Sequence, residues 1–231
     1  MKAMVLCAGY GTRLGELTRE IPKPMLPLHH QPMLAYLLAH LKQHGFDEIA
    51  INLHFKPELI QNHFGDGSRL GVKLAYSFEP TLLGTAGGVK NVEKFFRRER
   101  AFLVQYGDIL TDQDFSAMAQ FHRKRNALAT LLVHHRKKSN SVVTLDEENR
   151  IVGFLERPTD NARQGQTSPW VNSGVCLCAP EILDHIPPGT TCDLPRDVFP
   201  KLTTTGRLFG FPLTGSTLLI WLAGMYPFHH R

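Results

Sequence analysis

Residues 3–11 place an apolar run, Ala3-Met4-Val5-Leu6-Cys7, directly before Ala8-Gly9-Tyr10-Gly11. Five apolar residues cut short by a glycine turn have the length and composition of a buried strand that ends in bare backbone. Gly9 and Gly11 remove side chains where N–H groups must cradle an anion. The chain continues Thr12-Arg13-Leu14-Gly15-Glu16-Leu17-Thr18-Arg19-Glu20-Ile21-Pro22-Lys23-Pro24. Arg13 therefore puts a planar fork beside the turn, and Lys23 a point charge. Pro22 and Pro24 stiffen the backbone around Lys23, as suits a lysine that must arrive in one place. A strand, a glycine turn and two fixed cations read as a polyphosphate site.

The commoner phosphate loops are excluded. No Gly-x-x-x-x-Gly-Lys-Ser/Thr string occurs, and Gly9, Gly11 and Gly15 miss the dinucleotide spacing by one. Downstream, strand-like and helix-like stretches alternate. Ile49–Leu53, Val72–Tyr76 and Ala101–Gln105 read as strands; Pro32–His44, Pro57–Phe64 and Ala86–Phe96 read as helices. That alternation predicts an α/β fold, a doubly wound and mostly parallel sheet covered on both faces. Thr130–His135, Ser141–Thr144, Ile151–Leu155 and Trp170–Cys178 read as further strands, a mixed β extension closing over the site. Residues 160–168 are the expected loop. The expectation is one domain over 1–231, built of two halves, 1–125 and 126–231.

Ligands of such sheets gather at the carboxyl ends of the strands. There Tyr106-Gly107-Asp108 follows the strand Ala101–Gln105 and should face the Gly9 loop. A single aspartate in that position can begin a Mg²⁺ site, because Mg²⁺ prefers one or two carboxylates plus phosphate oxygens. Asp112 and Asp114 suit turn or cap roles, Asp114 preceding a helical stretch from Phe115. Leu83-Gly84-Thr85-Ala86-Gly87-Gly88 opens a helix, which Thr85 could cap. Glu156-Arg157-Pro158 and Val171-Asn172-Ser173-Gly174 are short polar motifs that follow strands.

In this order the motifs resemble those of the sugar-1-phosphate nucleotidyltransferases: Gly-x-Gly-Thr-Arg-Leu-x-x-Leu-Thr, then Pro-Lys-Pro. The likeness is to the short mannose-1-phosphate guanylyltransferase-like members, with a Rossmann-like fold. It implies a phosphoryl-type transfer in which sugar 1-phosphate attacks a nucleoside triphosphate. GTP with mannose 1-phosphate is the first expectation; a thymidylyl- or uridylyl-transferase, or a non-catalytic nucleotide-sugar-binding subunit, are the others. The resemblance implies Arg13, Lys23 and Asp108 as catalytic residues, with Asp108 on Mg²⁺. It implies Ala8, Gly9, Gly11, Thr12, Gly84, Thr85 and Gly87 as nucleotide-binding residues. Glu156, Arg157 and Asn172 would meet the sugar phosphate, so the resemblance makes 1–125 the nucleotide-binding half and 126–231 the sugar-binding half. Tyr106 stands where the family has asparagine, and Arg157 where it has lysine. The family's second metal-binding aspartate has no counterpart, since residues 198–231 contain no Asp or Glu. Asp108 and phosphate oxygens are then the expected metal ligands.

A formal charge of +5 suits anionic ligands. The basic runs are short and do not alternate with aromatics, so they read as solvated faces and no nucleic-acid partner is expected. Residues 217–228 are apolar but short of the ~20 needed to span a bilayer. Neither a membrane nor a leader peptide is expected, and the four cysteines read as reduced, buried thiols; the expected location is the cytoplasm. Self-association into a homo-oligomer is left open.

Overall fold

The computed structural model describes residues 1–136, 140–158, 168 and 170–219. The first half alternates strand and helix: β1 (Lys2–Leu6), the small ribbon β2 (Pro27–Leu28) and β3 (Gln31–Pro32), α1 (Met33–Gln43), β4 (Glu48–Leu53), α2 (Pro57–Phe64), β5 (Lys73–Phe78), α3 (Gly84–Asn91), α4 (Glu93–Phe96), β6 (Phe102–Tyr106), β7 (Ile109–Thr111) and α5 (Phe115–Lys124). The second half contributes β8 (Ala129–His135), β9 (Ser141–Leu145), β10 (Ile151–Glu156), β11 (Trp170–Cys178), α6 (Phe199–Leu202), β12 (Leu208–Pro212) and β13 (Thr217–Leu219).

The sheet runs β10-β9-β11-β6-β1-β4-β5, with β8 and β12 attached through β11. Its β6-β1-β4-β5 part is parallel, as the strand-helix alternation predicts. β11 then joins β6 antiparallel, Val175 opposite Gln105 and Cys178 opposite Phe102. The second-half strands β8 to β12 thus continue the same sheet and do not form a layer above it, while β13 pairs with β7 in a separate two-stranded sheet. Most of the loop expected at 160–168 lies outside the described residues.

Alternation along β1 shows how the sheet is covered. Ala3 and Val5 pack with Leu34, Leu38 and Leu41 of α1, and with Phe115 and Met118 of α5. Met4 faces the opposite layer, with Ala86 and Val89 of α3, Leu183 and Phe199. Each fully buried Leu or Phe stabilises the fold by about 1.5–3 kcal/mol, so the two layers hold the sheet rigid beneath its loops. Asp114 caps α5 as expected, its Oδ1 accepting from Ser116 N (2.8 Å) and Ala117 N (3.1 Å). The helix expected over Ala86–Phe96 is broken at Val92, whose φ of −110° and ψ of 25° separate α3 from α4.

His122 of α5 is buried and pairs through Nδ1 with Thr130 Oγ1 at 2.9 Å. Burial, helped by the Arg207 charge, lowers its pKa from 6.5 to about 4. The unfolded chain therefore takes up this proton first as pH falls, so stability is complete above the ordinary histidine value and drains away between there and pH 4. The loss expected from this residue is about 3 kcal/mol. Urea unfolding at pH 7 and pH 4.5 should show a smaller pH-dependent drop for His122→Gln than for the parent; an equal drop would refute the assignment.

Candidate active site

The loop after β1 is fixed from below. Cys7 N donates to Asn52 Oδ1 (2.8 Å), and Gly107 N donates to Leu6 O (2.9 Å), which brings the carboxyl ends of β1, β4 and β6 together. Gly11 adopts φ 67°, and a Cβ there would lie 3.2 Å from Lys23 Cβ and 3.1 Å from Thr18 Cγ2. Glycine lets the loop fold onto the lysine segment. Thr18 Oγ1 then closes the turn on Gly11 O at 2.9 Å.

Lys23 begins a single 3₁₀ turn, with Met25 N bonded to Pro22 O at 2.8 Å. Its side chain is almost wholly buried and its Nζ lies 2.5 Å from Asp108 Oδ2. The lysine and the aspartate are 85 positions apart in the chain, yet they form the floor of one cleft of about 270 Å³. Ala8, Gly9, Gly11, Gly84, Thr85, Asn52, Glu79, Tyr106 and Asp193 line it with them. Thr12 is exposed at the start of the turn that follows. The side chain of Arg13 lies outside the described residues.

The opposite wall is the Leu82–Thr85 loop at the start of α3. Thr85 does not cap α3, contrary to expectation. Its Oγ1 accepts from Leu194 N (2.8 Å) and donates to Asp193 Oδ1 (3.2 Å), while its N–H reaches the same oxygen at 3.0 Å. Cys192 O accepts from Ala86 N (2.9 Å) and Gly87 N (3.0 Å). Gly84 is glycine for two reasons, a φ of 74° and a Cys192 carbonyl oxygen that would lie 2.6 Å from a Cβ. Gly87 faces Thr190 and Cys192, so it serves this staple and not the cleft wall.

Sequence reasoning missed Asn52 and Glu79. Asn52 Nδ2 donates to Glu79 Oε1 (2.8 Å), and Glu79 Oε2 accepts from Leu83 N (3.0 Å). Both residues are buried, and the bonds satisfy what would otherwise be costly polar groups. The signal was present: a polar residue inside the apolar run Ile49–Leu53 must find a partner.

Glu156, at the end of β10, is half-buried, and its pKa is raised to about 7. Burial is the main cause, Asp193 adds to it, and Arg157 opposes it. Tyr106 is held well above its usual range by burial and then by Cys176 and Glu156. Arg157 is exposed, with φ 48° and Nε 4.0 Å from Glu156 Oε1. Asn172 Oδ1 accepts from Gly174 N (3.1 Å) within its own strand. Glu156, Arg157 and Asn172 do not line the cleft, although Glu156 feels the charge of Asp193, which does. The Cys7 thiol is pushed up by burial and by the Asp108 charge, so it stays protonated and is a poor nucleophile. β13 runs antiparallel to β7 with Leu219 opposite Ile109, next to Asp108 in the chain. Ile220 lies outside the described residues.

A hard cation fits the donor set. Both carboxylate oxygens of Asp193 are engaged, by Thr85 and Arg196, and both of Glu79, by Asn52 and Leu83; Asp108 gives Oδ2 to Lys23, so its Oδ1 is the cleft-lining carboxylate oxygen that could begin a Mg²⁺ site among the described residues.

The profile of the family described as Nucleotidyl transferase matches residues 2–217. A "UTP--glucose-1-phosphate uridylyltransferase" of Synechocystis sp. is 39% identical over 223 residues, covering 90% of this chain and 57% of the relative. A "Mannose-1-phosphate guanylyltransferase" of Mycobacterium tuberculosis is 35% identical over 213 residues, covering 90% and 58%. The chain thus spans under two thirds of the length of these relatives. Among solved structures, HddC from Yersinia pseudotuberculosis superposes with a TM-score of 0.80 at 22% identity, covering 96% of this chain and 95% of that one, which speaks for the fold.

Proposed function

This chain belongs to the Nucleotidyl transferase family, and from that premise we propose that it joins a sugar 1-phosphate to a nucleoside triphosphate with release of pyrophosphate. The observation that carries the reading is the convergence of the Gly9–Gly11 loop, Lys23, Asp108 and the Gly84–Thr85 loop on one cleft. A phosphate oxygen of the sugar 1-phosphate attacks the α-phosphorus; the P–O bond to the β-phosphate breaks and pyrophosphate leaves. The nucleophile is already ionised at neutral pH, so the site needs no general base. Its work is alignment and charge neutralisation.

Backbone N–H groups of the glycine loop would take the triphosphate, and Lys23 would face the charge that builds on the transferred phosphoryl group. Arg13 is proposed to assist from the same loop. Asp108 would hold Mg²⁺, which when bound neutralises phosphate charge. Gly84 and Thr85 would border the base, and Glu156, Arg157 and Asn172 the sugar phosphate. UTP with glucose 1-phosphate is the leading pair, given the 39% identity to the relative of that name, ahead of GTP with mannose 1-phosphate. Pyrophosphate release across the four common triphosphates, each with glucose 1-phosphate and mannose 1-phosphate, decides the matter. Release with none would leave a non-catalytic binding subunit.

Glu156 gives this reading a pH signature. Above about pH 7 its carboxylate accepts charge-assisted bonds from sugar hydroxyls, and below it the neutral acid binds them less strongly. The KM for sugar 1-phosphate should fall roughly fivefold between pH 6 and pH 8. Glu156→Gln should flatten that step; an unchanged step would take Glu156 out of the sugar site.

A further inference from the structure

The glycine loop carries one large side chain, Tyr10, between Gly9 and Gly11. Its hydroxyl lies 2.6 Å from His54 Nε2, and its ring meets the imidazole edge-on at 4.9 Å. His54 Nδ1 in turn lies 2.6 Å from the Glu79 carbonyl oxygen. A carbonyl can only accept, so Nδ1 carries the proton. With Nδ1 as the donor, Nε2 is the ring's acceptor position, and it faces the Tyr10 hydroxyl.

The line ends on an informative residue. Glu79 also holds Leu83 N on the opposite wall and reaches the base of the glycine loop through Asn52 and Cys7 N. One residue therefore tethers both loops that face each other across the cleft, and Tyr10 is the glycine loop's upper tie to it. A second link lies farther along the chain, where Lys56 pairs with the Glu20 carboxylate at 2.5 Å. That pair is largely solvated, and such pairs contribute little.

We propose that Tyr10 and His54 form a latch that holds the glycine loop in its triphosphate-receiving shape, so that both act as positioning residues. The proposal rests on the nucleotidyl-transfer reading of the cleft. Without the latch, loop N–H groups that must converge on phosphate sample other directions, and binding is taxed by the lost fraction. Once the triphosphate is seated, the loop is held by the ligand itself, so turnover at saturation is little changed.

The test uses the full chain with Tyr10→Phe, His54→Ala and the double variant. It measures KM and kcat for the preferred triphosphate, its Kd by calorimetry, and hydrogen exchange at residues 8–12 without nucleotide. Tyr10→Phe keeps the ring and loses the hydroxyl. It should raise KM and Kd roughly fivefold, leave kcat within twofold, and speed exchange in the loop. The double variant should be no worse than His54→Ala alone, because the two residues share one bond. Parental KM and exchange in Tyr10→Phe would overturn the latch. So would a fall in kcat at constant KM, or additive effects in the double variant. If no sugar phosphate supports turnover but exchange quickens and triphosphate Kd rises as stated, the latch stands and the catalytic reading fails.

Discussion

Lys23→Ala is expected to lower kcat by roughly a hundredfold or more, the scale of losing one preorganised charge donor. The motivation is stronger than a lysine flanked by prolines. The Lys23 side chain is almost wholly buried, lines the cleft, and starts from a 3₁₀ turn whose Pro22 carbonyl is occupied by Met25 N. The alanine variant also strips Asp108 of its partner at 2.5 Å. A modest fall in melting temperature should therefore accompany the rate loss, because removing one member of a largely buried pair leaves the other uncompensated. Lys23→Arg separates the two effects. It keeps the charge and part of the stability, but a planar fork in a slot shaped for an ammonium should recover little of the rate. Turnover of Lys23→Ala within twofold of the parent would remove Lys23 from the mechanism.

Asp108→Asn should abolish most Mg²⁺-dependent turnover, since it keeps the shape and deletes the charge that a hard cation requires. From the sequence alone the expected companion is an unchanged melting temperature. The structure alters that expectation: Lys23 is buried against Asp108, so neutralising the aspartate leaves an ammonium without its counter-charge. The variant should melt lower than the parent, and Asp108→Asn combined with Lys23→Met should regain part of the stability and none of the activity. Steady-state rates over a Mg²⁺ titration, read beside thermal melts, give both answers. Full turnover in a stably folded Asp108→Asn would show that the aspartate is only a structural partner of the lysine.

Much of this arrangement was legible in the residues. Ala3–Cys7 with its glycine turn located β1 and the cleft, and Tyr106-Gly107-Asp108 located the second strand end, because local composition decides where a parallel strand stops. The pairing of Lys23 with Asp108 was not legible, since only the sheet order brings those positions together. Thr85 was misread for a similar reason. As a helix-opening threonine it suggests a cap by local chemistry, but its partners, Asp193 and Leu194, come from 108 and 109 residues away. Glu79 and Asn52 escaped notice because a buried polar pair carries no motif. Gly87 fitted a glycine-rich loop by sequence and belongs to the staple on Cys192.

The antiparallel docking of β11 on β6 also sets a timetable for the chain as it is made. When β6 leaves the ribosome, its free edge has no partner until β11 follows, about 70 residues later. At ~5–20 residues per second that interval is roughly 4–14 s, during which a row of unpaired N–H and C=O groups is open to other chains. The Thr85 wall waits longer still, because Cys192, Asp193 and Leu194 emerge after β11. A nascent chain halted before residue 192 carries β1, Lys23 and Asp108 but lacks the partners that anchor the Thr85 wall. Its safety during synthesis depends on whatever shields the edge of β6 until β11 arrives.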